Sequence, residues 1–151
     1  MYQLTTTSNI LRTSDSASIP ADPKNTDYAA YLAWLAAGNT PTPAPAPTAA
    51  QLMAANEVAI QAALDATAKS RAYDSIASAC AYASSTPAVP STDPHFAVCE
   101  KFRLEGNALQ AWKSFTWATA FAYLATVTSG TNPMPTPAQA VAMIPSFTWP
   151  D

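Results

Sequence analysis

His95 is the sole histidine of this chain, and Cys99 follows it by four residues, so on a helix the imidazole and the thiol would share one face. With Asp93 just ahead, the set has the donor types for a metal ion or for a thiol–imidazole nucleophile. The surrounding sequence argues against both. A structural zinc takes four ligands, and Cys80 reaches the set only if two separate helices align. Asp93 stands before Pro94, as a capping carboxylate does, and a histidine in the first helical turn has its cation disfavoured by the helix dipole. Glu100 and Glu105 are the other candidates, as a carboxylate pair for acid–base work. They flank Lys101 and Arg103 and read instead as a solvated face with local charge pairing. With 3 glycines in 151 residues there is no phosphate-cradling loop and no nucleophile elbow. No catalytic residue, metal site or cofactor is expected, and the chain reads as a non-enzyme.

Charge removes further classes. Only 11% of residues are charged, the net charge is −3, and no basic cluster exists to displace counterions from a phosphate backbone, so nucleic-acid binding is not expected. The most apolar window, Phe115 to Val127, is 13 residues long and interrupted by threonines, short of the roughly 20 that cross a bilayer. The first twenty residues lack a basic segment followed by an apolar one, so no targeting leader is expected. Cys80 and Cys99 are too few for a disulfide framework and read as buried thiols in a reducing compartment.

The elements that must position these residues are mostly helical. Tyr2, Leu4 and the Thr5–Thr7 run suggest a short strand or extended arm, which Ile10–Arg12 could pair with across Ser8-Asn9. Asp22-Pro23 and Gly38 bracket a helix from about Pro23 to Ala37. Prolines 41, 43, 45 and 47 then make an extended linker that holds two parts at a distance. Thr48 with Gln51 is a capping-box pattern opening a helix over 49–70, in which Leu52, Asn56, Ile60, Leu64 and Ala68 recur every four residues. Asp74 can cap a second run, Ser75 to Ala83, after a kink or break at 70–73. A long helix from about His95 to Ser129 follows, with Gly106 marking a close neighbour or a bend, Gly130 ending it, and Thr136-Pro137 starting a last short helix. The expected fold is mainly α: an extended N-terminal arm with one short helix (1–38), a Pro-rich linker (39–48), and a C-terminal antiparallel helical hairpin of the 49–84 and 95–129 segments with a short capping helix (49–151).

Within the first helix Tyr28, Tyr31, Leu32 and Leu35 recur at i, i+3, i+4 and i+7, and Trp34 continues from Tyr31. A segment of 38 residues has little of its own to cover that stripe. Tyr28, Tyr31, Leu32, Trp34 and Leu35 are therefore the expected partner-binding residues, either against the chain's own helical part or in the groove of another subunit.

The run Ile19 to Pro23 leading into Asp27 to Pro41 resembles a segment recurrent in small tail and tail-fibre-associated proteins of tailed bacteriophages. Tyr73 to Ile76, Ala79 to Ala83, Phe102, Glu105-Gly106, Ala111-Trp112, Trp117 and the closing Pro145 to Pro150 look like the helical portion of the same group. The resemblance implies a structural component of a phage tail, at the baseplate or the tail-fibre attachment, made in the host bacterial cytoplasm and carried in the virion in several copies. Its partners would be other tail, baseplate or tail-fibre subunits. The alternative it implies is a tail-fibre assembly chaperone that is not retained in the particle.

Overall fold

Alternation of apolar residues near the N-terminus builds a sheet where an extended arm was expected. In a computed structural model, which describes residues 1–150, β1 (Tyr2–Leu4), β2 (Ile10–Arg12) and β3 (Ala17–Ile19) form an antiparallel meander in that order. The expected pairing of the first two strands is present, with Tyr2 opposite Arg12 and Leu4 opposite Ile10. The third strand was not anticipated, because Ala17-Ser18-Ile19 carries little strand signal. Its Ile19 lies opposite Ile10, and both are buried. Arg12 fixes the corner: its guanidinium donates to Asp15 in the turn before β3 and to Asp27 Oδ1 at 2.6 Å. These carboxylates hold the Arg12 proton more firmly than usual, and Arg12 holds Asp15 below the ordinary carboxylate range.

The first helix, α1 (Thr26–Ala36), starts three residues later than expected. Asp22 spends its oxygens on a turn, accepting from Lys24 N and Asn25 N, and that turn delivers Asn25 as the cap. Asn25 Oδ1 accepts from Asp27 N and Tyr28 N. Gly38, at φ +86°, ends the helix as the sequence predicts. The following linker is not wholly free: Thr42 pairs in parallel with Gln3 and exchanges backbone hydrogen bonds of 2.8 and 2.9 Å with Leu4 and Tyr2. Residues Met1–Pro47 form one compact unit, and the chain from Thr48 forms a second.

The second unit contains α2 (Ala49–Lys69), α3 (Ile76–Ser85), α4 (Phe96–Thr128) and α5 (Pro137–Ala142). The mainly helical class expected from the sequence holds, with a small sheet added. Thr48 and Gln51 form the reciprocal capping box, and Thr136 and Gln139 repeat it on α5. Ile60, Leu64, Ala68, Tyr73, Ile76, Ala79, Leu109 and Ala140 make the buried core. Trp112 and the tail rings Phe147 and Trp149 pack against it, with Trp112 Nε1 donating to Pro145 O at 2.7 Å.

Of the kink or break expected at 70–73 the structure has the break, so the 49–84 arm is two helices, the first of them α2. At its end Tyr73 N donates to Ala68 O and Ala72 N to Lys69 O, the Schellman arrangement, with Ala72 at φ +65° where glycine is usual. The end of α4 repeats the pattern with Gly130 in that place. Capping of α3 falls to Ser75 rather than Asp74, and Asp65 on α2 accepts from Ile76 N at 2.8 Å, pinning the start of α3. Helix α3 then lies tightly on α4. A Cβ at Gly106 would stand 2.7 Å from Ala83 N and 2.9 Å from Ala79 O, so the two backbones touch at this point.

Two substitutions should therefore invert ordinary helix propensity. Gly106→Ala, worth about 1 kcal/mol of gain on an open helix, is expected to cost about 1–3 kcal/mol through overpacking, read from the urea midpoint. Ala72→Gly is expected to stabilise by about 1 kcal/mol, because it relieves the left-handed alanine; an unchanged or lower midpoint would refute that account.

Candidate functional site

The residues whose types suggested chemistry are dispersed. His95 is exposed, its Nδ1 3.1 Å from Asp93 Oδ1, and the same Asp93 oxygen accepts from His95 N at 2.7 Å. Asp93 thus shapes the turn before α4, and His95 occupies the cap position without a side-chain cap bond. Cys99 and Cys80 are free and half-buried, and burial pushes the Cys80 thiol up. Among the described residues no three potential metal ligands come together. Glu100 pairs with Arg103 on the surface as expected.

Glu105 departs from expectation. It is 2% exposed, in the core rather than on a solvated face. Its Oε1 accepts from Arg71 at 2.9 Å, its Oε2 accepts from the Tyr73 hydroxyl at 2.7 Å, and Lys101 Nζ stands 4.0 Å away. Burial and the adjacent carboxylate raise the Tyr73 phenol far above its ordinary value, so Tyr73 acts as a neutral donor. Arg71 also lies 5.0 Å over the Trp149 ring, which stacks on Tyr73. A carboxylate with its lone pairs taken by a guanidinium and a phenol is arranged to hold α4 to the α2–α3 turn and to the tail. The missed signal is periodicity: Phe102, Glu105, Leu109, Trp112 and Thr116 are spaced three and four apart, which puts Glu105 on the apolar stripe.

The expected partner-binding stripe is largely used inside its own unit. Tyr31 is buried, and Tyr28, Trp34 and Leu35 pack around it against Tyr2, Ile10 and Ile19. The Tyr2 ring meets Tyr31 and Trp34 edge-on, each at 5.1 Å. The three strands cover Tyr31, which an extended arm would have left bare. Leu32 alone of the five is exposed, at 44%.

Uncovered apolar surface lies instead in the helical unit. A groove open to solvent is lined by Met53, Trp117, Leu124, Met134 and Met143, with Phe121, also in its lining, 65% exposed. Asn56 Nδ2 donates to Pro135 O and ties down the turn before α5. Asn56 Oδ1 and Thr116 Oγ1, both buried among the lining residues, have no hydrogen-bond partner in the protein. Such a surface can make extensive apolar contacts, and Glu57 is the one charged residue among those that line it. No helix is long and apolar enough to cross a membrane. No family model, curated protein or solved structure matches the chain.

The Glu105 cluster makes an asymmetric prediction. Arg71→Met strands a carboxylate in the core and should cost about 3 kcal/mol, whereas Glu105→Gln leaves Arg71 free to reach water and should cost about 1–2 kcal/mol. Equal losses in chemical denaturation, or the reverse order, would show that Glu105 is not held as described.

Proposed function

We propose that this chain is a structural component of a bacteriophage tail, at the baseplate or the tail-fibre attachment, and works through protein–protein contacts. The observation that carries the reading is the uncovered apolar groove of the helical unit, on which Phe121 is 65% exposed, while Phe115, 63% exposed, stands on another side of the same helix. Large rings left in water on a folded domain mark contact surfaces. The resemblance of the 19–41 and 73–150 segments to tail-associated proteins supplies the context. The two-unit build also fits a connector, since each unit has its own core and the chain between them is rich in proline.

The contact role falls on the helical unit rather than on the N-terminal rings, apart from the exposed Leu32. Quantitative mass spectrometry of purified particles tests the reading, and peptides of this chain at several copies per tail are the expected result. Peptides that accompany isolated fibres but are missing from finished particles would replace it with the assembly-chaperone role. Absence from both would overturn the proposal.

A further inference from the structure

The charge and hydrogen-bonding balance of the groove over α2, α4 and α5 is one-sided. Glu57, its only charged lining residue, is exposed and forms no ion pair among the described residues. The polar donors around it are engaged inside the protein: Asn56 Nδ2 donates to Pro135 O, the Thr119 hydroxyl to Phe115 O and the Tyr123 hydroxyl to Pro133 O. Asn56 Oδ1, on the residue before Glu57, is a second acceptor without a partner. Against these acceptors the lining sets only the Thr116 hydroxyl and the Trp117 indole as donors. A group complementary to this balance brings hydrogens and positive charge, as a lysine ammonium or an arginine guanidinium does.

The rest of the lining is apolar and adaptable. Met53, Met134 and Met143 are three of the chain's four methionines, the residue type that reshapes itself to a partner's side chains. The walls also select the conformation of the occupant. They are helices, with backbone groups already bonded, joined by a turn whose Pro135 O is taken by Asn56. An extended segment laid among them finds no strand edge to pair with and buries its own amides and carbonyls unbonded. A proline-rich segment presents bare carbonyls where acceptors are already in excess. A helix arrives with its backbone satisfied.

We propose that the groove takes an amphipathic helix of a partner protein, with a lysine or arginine at the border of its apolar face meeting Glu57. The α4 side of the groove runs from Thr116 to Val127, about 17 Å, so it accommodates about three turns of such a helix, with apolar anchors at i, i+3 or i+4, and i+7. The proposal rests on the reading of this surface as a contact site, and not on the tail assignment.

Fluorescence anisotropy of two labelled peptides against the full chain tests it, in about 150 mM salt so that the net charge of −3 is screened. Both peptides, about 14 residues long, carry leucine along one helix face; one has lysine and the other glutamate at every remaining position. The lysine peptide is expected to bind about tenfold more tightly or better, and Glu57→Lys should reverse the order. Phe121→Ser, in the groove, should weaken the lysine peptide about fivefold or more, whereas Phe115→Ser, on another side of α4, should leave it unchanged. Both rings are exposed, so helical circular dichroism should persist in each variant. No binding by either peptide, an order that survives Glu57→Lys, equal losses from the two phenylalanine variants, or tighter binding of a peptide of residues 40–47 would overturn the proposal. A chain found in tails whose groove ignores the lysine peptide keeps the tail role and loses this occupant; a chain absent from particles that binds it keeps the occupant and loses the tail role.

Discussion

The helical unit depends on one buried carboxylate. Glu105 on α4 is met by Arg71 and Tyr73 from the turn between α2 and α3, and Arg71 and Tyr73 in turn hold the ring of Trp149 from the tail. Three pieces of chain far apart in sequence thus converge on a single charge. Burial of that charge is tolerable because both oxygens are engaged and because Arg71 keeps contact with solvent. Next to it, Gly106 lets α3 touch α4 backbone to backbone, so the polar anchor and the closest packing occupy adjacent residues.

The N-terminal unit solves a different problem. A segment this short has little apolar material, and Tyr2, Tyr31 and Trp34 provide most of it as large rings packed edge-on. Arg12 then ties turn, strand and helix together through Asp15 and Asp27. The rings that mark an interface when a helix is read in isolation here form an internal core, and the helical unit carries the bare apolar surface.

How legible this was in the sequence varies by kind of signal. Helix starts with reciprocal caps, at Thr48 and Thr136, could be read directly because donor and acceptor are fixed three residues apart. Gly38 and Gly130 likewise announced their stops. The end of α2 is readable to within a residue, but only as a kink or a break, because Ala72 takes the left-handed role that glycine normally signals. The third strand was hidden by its composition and by the tertiary origin of its pairing. Glu105 reads as solvated because the charges at 100, 101 and 103 surround it, although it stands on an apolar stripe and its partners lie some thirty residues upstream. The groove over α2, α4 and α5 arises only once those helices are brought together.

The parallel bridge at Thr42 gives the tether a mechanical character. Two backbone hydrogen bonds hold the start of the proline run along β1, so tension arriving from the downstream side loads them before it reaches the meander. Their rupture would free residues 40–43, up to about 14 Å of contour, while leaving the aromatic interior intact. Short pulls would then be absorbed by the joint rather than transmitted to either fold.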